Sequence, residues 1–69
     1  MKFSLFDVVT ATEAMPDYGI HLGQTGVVVE ILHNPDAYFV EFCNNKGETL
    51  ALIPLLASQL EYPVLRKAA

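Results

Sequence analysis

Few side chains in the sequence are suited to nucleophilic catalysis. The hydroxyls of Ser4 and Ser58 and the single thiol of Cys43 are the candidate nucleophiles, and His21 and His33 are the candidate bases. A catalytic nucleophile needs a base within hydrogen-bond reach. His33 and Cys43 end consecutive predicted strands of one hairpin, which places them at opposite ends of the pair. His21 could approach a strand end, but no pattern gives it a partner, so we expect no catalytic residue and no enzymatic activity.

A metal or cofactor site is weakly indicated. His33 and Asp36 flank one predicted turn and could share a surface ion, but two ligands make a weak site. Cys43 is the only cysteine, so the chain has no intrachain disulfide and no CxxC pair for structural zinc. We expect neither a metal nor another cofactor.

Two glycines raise the question of a phosphate-binding loop. Gly23 and Gly26 bracket the stretch GQTG directly before an apolar strand. Walker-type loops need GxxxxGK and then Ser or Thr, and dinucleotide loops need GxGxxG at the start of a helix. The stretch matches neither pattern and offers an anion no lysine and no helix N-terminus. It predicts a tight turn, with Gly26 in a left-handed or otherwise restricted conformation.

Charge is distributed unevenly along the chain. The formal net charge is −4. From residue 3 to residue 65 the only lysine or arginine is Lys46, whereas the same range contains eight aspartates and glutamates. Nucleic-acid phosphates are attracted by clustered lysine and arginine, so we expect no nucleic-acid partner. No apolar run approaches the roughly 20 residues of a membrane span, and no signal peptide is evident. Since a lone thiol suits a reducing compartment, we expect a soluble cytoplasmic protein that does not bind membranes.

Turn signals separate short runs that are rich in β-branched and aromatic residues. The turns are predicted at PDYG, LGQTG, NPD and NNKG. Strands are predicted at 6–10, 27–33, 37–43, 48–53 and 61–65, with one short helical or 3-10 turn within 55–60. Short strands at this spacing are typical of an antiparallel all-β fold. With 69 residues the chain is predicted to form a single domain, 1–69.

The turns on either side of the third predicted strand fix a register for the sheet. A type I turn with Pro35 at its second position sets Ile31 opposite Val40. A three-residue loop with Gly47 in the left-handed position sets Val40 opposite Leu52. In both pairs an apolar inner residue faces another, which supports the register. The predicted core consists of Val9, Val27, Val29, Ile31, Tyr38, Val40, Phe42, Leu50, Leu52 and Leu60.

The same registers predict an apolar patch outside the barrel. Its members are Val28, Leu32, Phe39, Cys43 and Ile53. A contiguous apolar patch on a small domain usually has a cover. The chain's own ends, a second copy and another protein are all possible covers.

Two carboxylates are predicted to lie opposite each other beside this patch. Glu30 and Glu41 form either a solvated pair, relieved by Lys46 or a terminal base, or a docking point for a cation on a partner protein. An open face lacks the burial that would split their pKa values for acid–base catalysis. The predicted interaction surface consists of Glu30, Leu32, Phe39, Glu41 and Ile53, with Phe39 as its anchor.

Taken together, these elements resemble an SH3-like barrel. The run GVVVEIL, a hairpin, YFVEF and then ASQL before a short last strand are similar in layout to the KOW-type modules of ribosomal and transcription proteins. More closely, DVV, PDYG, GQTGVV, VEF and QL make nearly the whole chain resemble a family of small bacterial proteins of unknown function. The resemblance implies a five-stranded antiparallel SH3-like barrel. It supplies no activity, because this fold hosts many unrelated roles.

The sequence therefore predicts a non-enzymatic protein-interaction module whose partner is another protein or a second copy. The family resemblance and the small acidic chain also point to the small partner of a bacterial two-gene system. The alternative is a KOW-like nucleic-acid-binding module, which the layout of strands and turns allows and the acidic body disfavours.

Overall fold

The computed structural model describes residues 2–33 and 35–64, and these form one antiparallel sheet. Its strands are β1 (Val8–Ala11), β2 (Thr25–Leu32), β3 (Ala37–Cys43), β4 (Thr49–Leu55) and β5 (Leu60–Glu61). Their order is β4-β3-β2-β1-β5. The sheet is curled into a half-barrel. Two 3-10 turns, Pro16–Tyr18 and Ala57–Gln59, are the other regular elements of the described residues. The predicted fold class is confirmed.

The strand ends differ from prediction mainly near the termini and at Pro54. β1 starts two residues later than predicted, because residues 4–7 form a turn. β4 continues through Pro54 to Leu55, which an edge strand tolerates since the missing N–H can face solvent. β5 is shorter than predicted and begins one residue earlier, and the predicted end at Leu65 lies outside the described residues.

The β2–β3 hairpin is shifted by two residues from the predicted register. Ile31 pairs with Tyr38 rather than with Val40, and Leu32 pairs with Ala37. From Glu30 to the hairpin end, a shift of two residues leaves each side chain on its predicted face, so the alternation of apolar residues cannot reveal it.

A bulge in β2 changes which valines enter the core. The register shifts between Val28 and Glu30, so Val29 is the extra residue. On the N-terminal side of the bulge the faces are exchanged. Val28, predicted outside, is fully buried, whereas Val27 and Val29, predicted inside, are half-buried. The predicted positions of these three valines were wrong.

The β3–β4 turn was predicted correctly, but the strand after it was not. Gly47 has φ 79°, and the Asn44 amide donates to the Glu48 carbonyl at 2.9 Å. Beyond this turn the register shifts by one residue. Leu50 and Leu52, predicted in the core, are 43% and 53% exposed, whereas Ile53 is 8% exposed. The predicted place of Ile53 on the outer surface was therefore wrong.

The core lies on the concave side of the sheet and is closed by the N-terminal segment. Of the predicted residues Val9, Tyr38, Val40, Phe42 and Leu60 are buried, and Ile31 packs against them. The sequence did not predict Phe3, Ala11, Met15, Ile20 and Leu55, which are also buried. The Phe3 and Tyr38 rings meet edge to face at 5.3 Å between centroids. Phe3 is therefore a core residue and not a cover for the outer face.

A hydrogen-bonded clasp joins the two ends of the described chain. Asp7 Oδ2 accepts from the Tyr62 hydroxyl at 2.6 Å and from the Ser4 amide at 2.9 Å. The Phe3 and Tyr62 rings also meet edge to face at 5.0 Å. The bond from Tyr62, then that from Ser4, lowers the pKa of the Asp7 carboxyl. The same bond to Asp7, followed by desolvation, raises the pKa of the Tyr62 hydroxyl.

This clasp is expected to make stability fall in acid. A carboxyl whose pKa is lowered in the folded state stabilises above its unfolded pKa of about 3.9, and this stabilisation is lost as pH falls through the lower folded value. Tyr62→Phe should lower stability at neutral pH and lose less on acidification below about pH 4. Urea midpoints across that range measure both effects. Tyr18→Phe, at a 53% exposed tyrosine, is the control. Equal acid dependence of wild type and Tyr62→Phe would contradict the role of the clasp.

Candidate interaction surface

Of the residues considered for catalysis, the structure brings His21 and Cys43 to one groove and keeps His33 and Cys43 apart. His33 follows β2 and Cys43 ends β3, so they lie at opposite ends of the hairpin, as predicted. His21 and Cys43 do share a shallow groove of about 430 Å³ beside the β3–β4 turn, which the sequence did not predict. The residues lining the groove include no carboxylate that could orient the imidazole. An exposed thiol beside an unoriented histidine lacks the geometry of an activated nucleophile.

His33 and Asp36, the two residues considered as metal ligands, lie close together without a third ligand among the described residues. His33 Nδ1 lies 3.8 Å from Asp36 Oδ1, and both side chains are largely exposed. Within residues 2–33 and 35–64 no group of three or more metal-ligating side chains comes together. Two exposed ligands on one turn do not define a coordination sphere.

Glu30 and Glu41 are not opposite each other. Glu30 pairs with Phe39, and Glu41 pairs with Val27 on one side and Leu52 on the other. The predicted direct pair was wrong because of the shifted register and the bulge. Glu41 is oriented by Thr49, whose Oγ1 donates to Glu41 Oε2 at 3.1 Å.

The convex side of the sheet carries a continuous row of side chains across four strands. Val8 pairs with Val27, Val27 with Glu41, and Glu41 with Leu52. Paired residues in antiparallel strands point to the same side of the sheet. A second row follows, in which Phe39 lies between Glu30 and Pro54. These residues define the outer face: Val8, Val27, Glu30, Phe39, Glu41, Leu52 and Pro54.

The outer face is apolar apart from its two glutamates. Leu52 is 53% exposed and Val8 is 47% exposed, while Val27 and Phe39 are half-buried. The concave side already holds the core, so the apolar residues of the outer face are not needed to build it. Exposed apolar patches of this kind on small domains are candidates for contact surfaces.

Most residues of the predicted interaction surface lie on or beside the outer face, and one lies in the core. Glu30, Phe39 and Glu41 lie on the outer face, and Leu32 lies half-buried beside Ala37 at its hairpin end. Ile53 belongs to the core. Sequence reasoning missed Leu52 and Pro54, because the bulge after Thr49 exchanges the two faces of β4 and no local signal marks it. It also missed Val8, which joins the row through its pairing with Val27.

Next to Val8, an exposed phenylalanine is held in an unfavourable backbone conformation. Residues 4–7 form a turn in which the Asp7 amide donates to the Ser4 carbonyl at 3.1 Å. Phe6 occupies the third position with φ 68°, where glycine or asparagine is usual. Its amide donates to the Val28 carbonyl at 2.7 Å, which fixes the turn beside β2. Its side chain is 69% exposed, so this conformation is not used to bury the ring.

Negative charge predominates around the outer face. The lysines of the described residues are Lys2 and Lys46, and these residues include no arginine. Lys2 Nζ lies 5.3 Å from the centroid of the Phe3 ring, and Lys46 lies in the β3–β4 turn. In the described part of the chain, neither base forms an ion pair with Glu30 or Glu41. The outer face therefore presents two carboxylates within apolar surroundings.

One known protein family matches the part of the chain that contains the five strands and the outer face. A family described as a domain of unknown function (DUF4926) matches residues 5–62. The chain belongs to this family. The DUF4926 match runs from the turn that carries Phe6 to Tyr62, so it includes all five strands and the complete outer face. The family resemblance predicted from the sequence is confirmed.

No curated protein and no solved structure matches the chain. Among the described residues no helix has the length and apolar character needed to cross a membrane.

Proposed function

We propose that this protein is a non-enzymatic protein-interaction module that binds a partner protein on its outer face. The observation that carries the proposal is the row from Val8 through Val27 and Glu41 to Leu52, which exposes apolar side chains on all but one strand it crosses. Protein contact surfaces combine an apolar centre with polar groups at its rim. The outer face has this composition.

The turn at Phe6 supports the same proposal independently. A left-handed conformation costs a residue other than glycine about 1–2 kcal/mol. Such strain persists where the surrounding structure fixes it, and it occurs preferentially at functional sites. An exposed aromatic ring held in this way, two residues before Val8, is suited to anchor a partner.

Two other functions receive less support. Catalysis receives less support because the residues that line the groove at His21 and Cys43 include no carboxylate to orient the imidazole. Nucleic-acid binding, the KOW-like alternative, would bring phosphates against Glu30 and Glu41 on a domain with net charge −4. The finer proposal, a cytoplasmic small partner in a bacterial two-gene system, rests on the family resemblance and on the small acidic chain.

Affinity capture with matched variants tests the proposed face. We expect wild type and Leu22→Glu to capture the same protein from the source organism, and Leu52→Glu to lose it. Leu22 is 70% exposed in a loop, so both variants replace an exposed leucine by the same charge at different sites. Phe6→Gly should weaken capture while its urea midpoint stays level or rises, because glycine removes the strain. Equal capture by all four chains would refute the proposed face, and recovery of nucleic acid instead would favour the alternative.

A further inference from the structure

The two carboxylates on the outer face restrict the chemistry of its partner. This inference rests on the proposed function. Glu30 and Glu41 stand on adjacent strands and in successive rows. Glu30 pairs with Phe39, two residues from Glu41 on the same strand, so the two side chains are neighbours on one side of the sheet. Thr49 holds the carboxylate of Glu41 by a hydrogen bond. A cationic group of a partner that covers this part of the face would lie close to both carboxylates.

A neutral apolar partner does not fit this surface. Covering Val27, Phe39 and Leu52 would also remove water from Glu30 and Glu41. Carboxylates that lose water need a cation or hydrogen-bond donors in return. Within residues 2–33 and 35–64, no base of the chain supplies them by an ion pair. The partner must therefore bring a cation or hydrogen-bond donors, and a cation compensates a carboxylate more strongly than a neutral donor does.

A second copy does not fit either. A two-fold interface brings the same patch of each chain together. Pairing two outer faces would bring four carboxylates into one apolar contact without a described cation among them. Nucleic acid would add further negative charge.

We propose that the outer face binds a basic amphipathic segment of another protein. An arginine or lysine of that segment lies between Glu30 and Glu41, and its apolar residues cover Val27, Phe39 and Leu52. Arginine suits the position better, because its planar guanidinium presents five donors and can serve two carboxylates at once. Glu30 and Glu41 then determine which partners bind, and the apolar residues supply most of the contact area.

Two synthetic peptides and charge-matched variants test this inference. The probes are an end-blocked eight-residue peptide of alternating leucine and arginine, and the same peptide with glutamine in place of arginine. Titration of the isotope-labelled full chain should show the arginine peptide shifting amide signals of Val27, Phe39 and Leu52. We expect it to bind about tenfold tighter than the glutamine peptide. Glu30→Gln with Glu41→Gln should remove about that factor. The control is Glu13→Gln with Asp17→Asn, which changes the net charge by the same amount at exposed sites outside the outer face. Its affinity for the arginine peptide should stay within about twofold of the wild-type value.

Several outcomes would overturn the inference. If both peptides bind equally and Leu52→Glu abolishes both, the face still binds protein and only the cationic chemistry is wrong. Equal weakening by the two double variants would mean that net charge alone is responsible. Absence of outer-face signals with the arginine peptide overturns the inference, while the capture experiment decides the proposed function separately.

Two other occupants of the face can be recognised in the free protein. The C-terminal residues outside the described part include Arg66 and Lys67. If Arg66→Gln with Lys67→Gln shifts the outer-face signals of free protein, the chain covers its own face. If wild type sediments as a dimer and Leu52→Glu as a monomer, the cover is a second copy. We expect unchanged signals and a monomer, and either contrary result overturns the inference.

Discussion

Gly26→Val is expected to destabilise the domain by about 3 kcal/mol or more, which approaches the total that a core of this size supplies. A Cβ atom at Gly26 would lie 2.7 Å from Val40 Cγ1, 2.9 Å from Phe42 Cδ1 and 3.0 Å from the Glu41 carbonyl oxygen. Two of these atoms belong to fully buried side chains and the third to the backbone of the neighbouring strand. None can move away cheaply. Urea denaturation followed by circular dichroism measures the loss.

The cause of this loss is space and not backbone conformation, which corrects the sequence-based expectation. Gly26 lies within β2 and pairs with Phe42, whereas Gly23 occupies the preceding turn with φ 81° and has no atom near its added Cβ. Asparagine tolerates a left-handed backbone better than other residues. Gly23→Asn should therefore cost little and Gly26→Asn a great deal. Similar costs at both positions would contradict the steric explanation.

The sequence predicted the fold class and the turns at PDYG, LGQTG and NNKG well because these depend on local chemistry. The β3–β4 turn is an example, since Asn44 Oδ1 accepts from the amides of Lys46 and Glu48, and Gly47 supplies the positive φ. The faces of β3 were also predicted correctly. Glu41 breaks the apolar run of that strand and marks one side as the polar one.

The faces of the neighbouring strands could not be predicted in the same way. β4 reads Leu50, Ala51, Leu52, Ile53, so each residue is apolar and the alternation selects no face. Residues 27–29 of β2 are three successive valines and present the same ambiguity. A bulge changes the register by one residue and leaves no reliable mark in such a run. The sequence therefore placed Glu30, Phe39 and Glu41 on the outer face correctly, but it placed Ile53 there in error and missed Leu52.

The turn at Phe6 was missed for a different reason. Residues 6–10 read as a strand because phenylalanine and valine favour that conformation. The carboxylate of Asp7 instead accepts from the Ser4 amide and closes a turn. A local hydrogen bond of this kind competes directly with strand formation. The outcome depends on Tyr62, fifty-five residues away, which binds the same carboxylate and helps to hold the turn.

Two adjacent residues of β4 should give opposite results when each is replaced by glutamate. Leu52 is 53% exposed on the outer face, so Leu52→Glu should fold, at a cost of up to about 1 kcal/mol because the new carboxylate lies opposite Glu41. Ile53 is 8% exposed and pairs with the fully buried Val40. Ile53→Glu would place a carboxylate in the core, where no described base lies.

The cost of that buried charge decides the outcome. A carboxylate without a partner in an apolar core costs several kcal/mol even after its pKa rises to keep it neutral. A domain of this size rarely has more than about 3–5 kcal/mol to lose, so Ile53→Glu should be unfolded at neutral pH. Circular dichroism of the two variants at one pH is sufficient to compare them. A folded Ile53→Glu beside an unfolded Leu52→Glu would mean that β4 pairs without its bulge. The outer face would then expose Ile53 in place of Leu52, and the surface on which partner binding is proposed would have to be redrawn.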